Sequence, residues 1–219
     1  MSRPELLATP AGEISLRSDG SDEAPVDVIL APGAGADMDH SFMTTVATAL
    51  ASEGFRVWRF NFLYQERGRK SPDKNPLLEE TYRSVVDEVR SRGARTLVAG
   101  GKSMGGRIAS QIAAAGAPID GLVFHGYPLH PPGRPDRIRD AHLRDITIPM
   151  LFVEGTRDPF CPLETLEKVR ADLSAPTDLV VIDDGDHSFR VRKSSGRTTE
   201  EALEVVVQET ADWIRRRYV

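Results

Sequence analysis

Six short apolar runs recur along the chain: Val26 to Ala31, Phe55 to Phe60, Thr96 to Ala99, Ile119 to Phe124, Pro149 to Val153 and Asp178 to Ile182. The segments between them are long enough to cross back over a sheet, and most carry apolar residues at helical spacing. Parallel strands need such crossovers, because two strands running the same way cannot be joined by a tight turn. The helical faces are explicit. Phe42, Val46, Ala47 and Leu50 share one that stops at Gly54, and Leu78, Tyr82, Val85, Val86 and Val89 share another that stops at Gly93. Ile108, Ala109, Ile112 and Ala113 form a small-residue face ending at Gly116. Leu163, Leu166, Val169 and Leu173 follow Pro162 as a first helical residue, and Leu203, Val206, Val207, Thr210, Trp213 and Ile214 form the last helix. A further strand is expected around Glu13 to Arg17. The pattern predicts a three-layer α/β/α fold with a mostly parallel central sheet.

At 219 residues with 40% hydrophobic content, the chain suffices for one sizeable core, so a single domain over 1–219 is expected. The net charge of −5 speaks against nucleic acid or an anionic membrane surface as partner, since both need a cationic footprint. A lone cysteine, Cys161, allows no intrachain disulfide and no thiolate metal cluster, and packing is its expected role. No run approaches the ~18 apolar residues of a membrane span, and the start reads Met-Ser-Arg-Pro-Glu, so a soluble cytoplasmic protein without cofactor or metal is expected.

Directly after the third apolar run stands Ala99-Gly-Gly-Lys-Ser-Met-Gly-Gly106, with Gly101, Ser103 and Gly105 in a GxSxG frame. A helix-forming stretch follows. Strand, GxSxG and helix together read as a nucleophile elbow, a turn so tight that the serine is strained and only small residues fit two positions either side. The Gly-Lys-Ser within it raises a phosphate-binding loop, but the required first glycine falls at Thr96, inside the strand. No GxGxxG dinucleotide spacing fits either.

A serine nucleophile needs a base, and the base needs a carboxylate to hold its tautomer. His187, in Asp183-Asp-Gly-Asp-His187, follows the last strand, on what reads as a short loop before the final helix. Asp158, in Glu154-Gly-Thr-Arg-Asp158-Pro, follows the strand ending at Val153. The order Ser103, Asp158, His187 is the hydrolase order, and all three fall beyond strand ends, where an open parallel sheet binds ligands. Asp183, Asp184 and Asp186 are rival acids but lie too close along the chain to reach round to the far ring nitrogen. For an oxyanion, the N–H of Met104 is one expected donor. The N–H of Ala34, in Pro32-Gly-Ala-Gly-Ala36, is the second, with Gly33 or Gly35 replacing it under a shifted register. The irregular pieces Tyr64 to Pro76 and Tyr127 to Asp145 are expected pocket walls. Gly35, Tyr64, His125 and Tyr127 are assigned to substrate binding, with His130 as a further lining candidate; Arg69 and Lys70 beside Tyr64 are read as a solvated basic loop, with reception of an anionic acyl group as the alternative. His40 and His142 join no constellation.

These segments resemble the α/β-hydrolase superfamily, and within it a small dienelactone-hydrolase-like branch that includes the testis-expressed protein 30 and NSL-complex subunit 3 domains. The matching pieces are Ala31-Pro-Gly-Ala-Gly-Ala, Arg59-Phe-Asn-Phe, Gly101-Lys-Ser-Met-Gly-Gly-Arg, Gly126-Tyr-Pro-Leu-His-Pro-Pro-Gly, Gly155-Thr-Arg-Asp and Gly185-Asp-His, over about residues 25 to 215. The resemblance implies a hydrolase fold with nucleophile Ser103, acid Asp158 and base His187, and a minimal cap. Dienelactone hydrolases proper use cysteine as nucleophile, which the serine here does not match. The expected activity is hydrolysis of a small acyl ester, against a non-catalytic binding or scaffold role, or acyl transfer or peptide cleavage by the same residues.

Overall fold

The computed structural model describes residues 4–219. Eight strands form one sheet in the order β1-β2-β4-β3-β5-β6-β7-β8. They are β1 Glu5–Thr9, β2 Gly12–Asp19, β3 Asp27–Ala31, β4 Arg56–Phe60, β5 Leu97–Lys102, β6 Gly121–His125, β7 Met150–Gly155 and β8 Thr177–Ile182. From β4 to β8 every pairing is parallel, while β1 and β2 add antiparallel at the edge. The central strands β3, β5, β6 and β7 are buried almost residue for residue, as strands covered on both faces must be.

Helix α1 (Ser41–Ser52) and the long α6 (Thr199–Tyr218) cover one face; α2 (Leu63–Glu66), α3 (Asn75–Ser91), α4 (Met104–Ala114) and α5 (Leu163–Ala171) belong to the other. Each face closes its own core. Ile29, Ala99, Phe124 and Phe152 meet α3, α4 and α5, while Val28, Val98, Val123 and Val153 meet α1 and α6, the side chains alternating face by face along every strand. Thr198 and Glu201 cap α6 reciprocally.

The expected α/β/α layering is present, with four local differences. Strand β1 was not foreseen. The segment expected to be irregular from Tyr64 contains α2 and leads into α3. Pro162 caps α5 rather than opening it, and Leu173 lies beyond its end. The stretch between β8 and α6 runs over 183–198 with a 3-10 turn at Lys193–Ser195, longer than a simple loop.

Strand β3 pairs with β4 on one side and β5 on the other, so the chain reverses its direction of travel across the sheet there. The loops leaving the carboxyl ends of β3 and β5 therefore splay apart and open a crevice.

Candidate active site

Ser103 joins β5 to α4 with φ 50° and ψ −112°, a backbone state an L-residue adopts only when its surroundings force it. The cause is β3. Ala31 pairs with Gly101 in the sheet, and a Cβ on either Gly101 or Gly105 would drive into the Ala31 carbonyl. The two glycines let β3 and the first turn of α4 close on each other, and the serine between them is pushed out over the crevice.

His187 reaches the same point from beyond β8. Its Nε2 lies 2.9 Å from Ser103 Oγ, and its Nδ1 lies 2.6 Å from Asp158 Oδ2. A carboxylate only accepts, so Nδ1 carries the proton and Nε2 is left to accept the Ser103 hydroxyl. The Asp158 side chain is wholly shielded from solvent, and its other oxygen accepts the Phe160 N–H at 2.8 Å, which fixes the carboxylate within the Asp-Pro-Phe turn after β7. The ring of Phe160 meets His187 edge-on with centroids 4.7 Å apart. Asp186 instead spends one oxygen on the N–H groups of Ser188 and Arg190, and Asp184 binds the Arg192 and Arg157 guanidiniums, so both hold the turn that presents His187.

The loop after β3 flanks the serine: a Cβ on Gly33 would stand in van der Waals contact with Ser103, 3.7 Å from its Cβ. The Ala34 N–H meets no acceptor among the described residues, and Ala34 and Ser103 line the same cavities. Met104 is the first residue of α4, so its N–H has no partner within the helix and sits at the positive end of the helix dipole.

The family profile of alpha/beta hydrolase domains matches residues 24–215. The chain belongs to that family. Among solved structures, a dienelactone hydrolase from Anabaena variabilis superposes with a TM-score of 0.81 at 21% identity, covering 100% of this chain and 99% of that one. An α/β serine hydrolase without lid from Xanthomonas campestris gives 0.76 at 24% identity over 98% and 94%. A serine hydrolase homologue from Coxiella burnetii gives 0.76 at 23% identity over 95% and 97%. At these identities the likeness is one of fold.

Four positions of this α/β hydrolase that the sequence assigned to substrate binding do other work. His125 is fully buried on the α6 side, bonded to Thr210 Oγ1 at 3.1 Å, and burial lowers its pKa to about 3. It ends β6 in the same alternation as Val123 and so points into that core. Tyr127 is buried on the opposite face against Phe124 and Phe152, its hydroxyl among Ser110 and His142. Tyr64 is buried, and its hydroxyl accepts the Gly35 N–H at 3.1 Å. The N–H of Gly35, a residue with φ +77°, is therefore already spent, and this pair braces the loop that carries Ala34. His130 does line a cavity, as anticipated for it.

Two cavities meet at Ser103. The larger, about 1050 Å³, is a groove running from His187 between α1 and α6, floored by Phe42, Ala49, Leu203 and Val207 and rimmed by Glu53, Glu200 and Glu204. The smaller, about 250 Å³, lies on the Met104 side. Sequence reasoning passed over Lys102, whose Nζ is buried without a hydrogen-bond partner among the described residues, beside the stacked rings of Phe42 and Phe189 at 6.0 and 5.6 Å from their centroids. Burial lowers its pKa to about 8, against the pull of Asp158, Glu154 and Asp186. Glu154, wholly buried with one oxygen accepting the Tyr127 N–H at 2.5 Å, is held well above the usual carboxylate range by burial and by Asp158. The β7 position just before the Asp158 turn, at the end of an otherwise apolar strand, was the available signal for it. Among the described residues no group of three or more His, Cys, Asp or Glu side chains is placed to hold a metal ion, and no helix is long and apolar enough to cross a membrane.

Proposed function

We propose that this α/β hydrolase is a serine-dependent carboxylesterase acting on small acyl esters in the cytoplasm, with Ser103 as nucleophile, His187 as base and Asp158 as the acid that orients it. The observation that carries this is the hydrogen-bonded relay from Ser103 Oγ through His187 to Asp158 at 2.9 and 2.6 Å. Ser103 Oγ attacks the ester carbonyl carbon while His187 Nε2 takes its proton. The resulting imidazolium is stabilised by the buried Asp158 carboxylate. The carbonyl oxygen, now an oxyanion, is received by the N–H groups of Met104 and Ala34. Each such donor is typically worth ~10²–10³ in rate, because it is aimed before the charge develops. His187 then passes its proton to the leaving alcohol oxygen, leaving an acyl-serine. A water, deprotonated by the same nitrogen, releases the acid and restores the serine.

Within the superfamily we place the chain in the dienelactone-hydrolase-like branch of the testis-expressed protein 30 and NSL-complex subunit 3 domains, on the Gly126-Tyr-Pro-Leu-His-Pro-Pro segment. The test is covalent labelling by a fluorophosphonate. One adduct is expected, on the peptide containing Ser103, abolished by Ser103→Ala and strongly slowed by His187→Ala. No adduct on folded protein favours a binding or scaffold role instead. Product analysis with added alcohol or amine separates hydrolysis from acyl transfer.

A further inference from the structure

The two cavities at Ser103 differ in which side chains of the relay they meet. His187 lines the larger groove and not the smaller pocket, whereas Met104 lines the smaller pocket and not the groove. The proton that leaves Nε2 must go to the departing alcohol, so the alcohol occupies the groove and the acyl group is left to the pocket. This assignment rests on the esterase reading above.

The pocket is lined by two guanidiniums, those of Arg107 and Arg139. Arg107, one turn into α4, spends one nitrogen on Asn75 Oδ1 at 3.1 Å and forms no ion pair among the described residues. The Arg139 guanidinium has neither an ion pair nor a hydrogen bond among the described residues. Burial disfavours both charges, with Arg139 adding to the effect at Arg107 and Arg137 adding to it at Arg139. His130 is 5% exposed, its Nδ1 against the Pro131 carbonyl and its buried Nε2 without a partner. The one carboxylate lining the pocket, Asp73, pairs one oxygen with Arg69 and keeps the other buried without a partner among the described residues, so the two guanidiniums face one carboxylate whose charge Arg69 already balances; Glu79 near Arg107 accepts from Asn75 at 2.6 Å. Because the Pro131 carbonyl only accepts, His130 Nδ1 carries the proton and its Nε2 is an acceptor, so the donors that line this space beside the expected oxyanion N–H groups are the two guanidiniums.

We infer that the smaller pocket receives a carboxylate at the far end of the acyl chain, so that the preferred substrates are half-esters of short dicarboxylic acids with an apolar alcohol. A guanidinium fork matches a carboxylate with two parallel N–H···O bonds. The volume of about 250 Å³, below that of a cavity for a drug-sized ligand, limits the acyl group to a short chain. The floor of the groove, with Phe42, Ala49, Leu203 and Val207, accepts an apolar leaving group. The chemistry balances as simple hydrolysis. The bond between acyl carbon and alkoxy oxygen breaks, water supplies the new oxygen, and the products are the diacid and the alcohol.

The experiment compares two esters of equal chain length, mono-4-nitrophenyl succinate and 4-nitrophenyl butanoate, on the wild-type protein and on Arg107→Gln, Arg139→Gln and the double variant. The inference expects kcat/KM at least tenfold higher for the succinate half-ester, with each single variant cutting that ratio several-fold and the double variant bringing it to unity or below. A wild-type preference for the butanoate, or a ratio unmoved in the double variant, overturns it. Hydrolysis of neither ester would instead count against the esterase reading, and the pocket is then read by calorimetry with glutarate. Binding by the wild-type protein that is lost in the double variant supports the pocket, and no binding at millimolar glutarate contradicts it. Should the double variant fail to fold, inhibition of wild-type butanoate turnover by glutarate, set against the uncharged glutaramide, decides the same question.

Discussion

Asp158 holds His187 by a 2.6 Å hydrogen bond to Nδ1 while its second oxygen is tied to the Phe160 N–H, so the imidazole has one orientation and one tautomer open to it. In Asp158→Asn the amide nitrogen can donate where only an acceptor serves, and the ring turns its proton toward the serine. Turnover of 4-nitrophenyl butanoate should fall by about 10³–10⁴ in kcat with KM changed far less. Steady-state kinetics on the folded variant checks this, and a loss confined to KM would contradict it.

The elbow glycines should be among the least replaceable residues. Gly101→Ala or Gly105→Ala places a methyl group against the Ala31 backbone, which cannot retreat without breaking the β3–β5 pairing. A loss of about 3 kcal/mol or more in urea unfolding is expected, as for other buried overpacking. Gly116, with φ +80° but open space around it, serves as comparison: Gly116→Ala should cost only about 1 kcal/mol.

Lys102 stands close to the relay. A Cβ built on Gly126 would lie 2.7 Å from Lys102 Nζ and 3.4 Å from His187 Nδ1, so the two nitrogens are within about 6 Å of one another. Its folded pKa of about 8 lies below the ordinary lysine value of 10.5. Between those values the unfolded chain binds the extra proton, so this residue's contribution to stability rises with pH from 8 to 10.5 and is least favourable below 8. Lys102→Met should therefore be more stable than wild type at pH 7, by up to about 3 kcal/mol, with the gain shrinking toward pH 10.5. Denaturant unfolding at both pH values tests it, and a variant less stable at pH 7 would refute it.

Acid should act through His125. Its pKa falls from 6.5 to about 3 on folding, chiefly by burial and secondly by Lys102. Below pH 6.5 the unfolded chain takes up a proton that the folded protein refuses, and stability is lost as pH falls toward 3 at up to about 1.4 kcal/mol per pH unit. His142, lowered to about 4 by burial, adds to the loss. His125→Gln should flatten the fall of the urea midpoint between pH 6 and 4. An unchanged slope would mean that His125 is already charged in the folded state.

Much of this was written in the local sequence, where one residue type answers one local demand. Gly101 and Gly105 mark the close approach to β3, and the apolar runs mark strands buried on both faces. The order Ser103, Asp158, His187 gives positions at one edge of a parallel sheet, and the structure brings those side chains within hydrogen-bonding distance. What the sequence hid was the face of the sheet to which a strand end points. His125 and Tyr127 both follow the apolar run ending at Phe124, yet the turn at Gly126, with φ +70°, sends them into opposite cores. Strand β1 escaped notice because it pairs only at the edge, with Leu6 69% exposed, and leaves no apolar run to read. The Arg107 and Arg139 pocket draws on α4 and on the loop after β6, and no spacing along the chain announces that they meet.

If Ser103 is the group acylated during ester cleavage, kcat/KM of Ser103→Ala on 4-nitrophenyl butanoate, with folding verified by an unchanged melting transition, falls by a factor on the order of 10⁴–10⁶, to the uncatalysed background. A folded Ser103→Ala protein retaining activity within tenfold of wild type would contradict it.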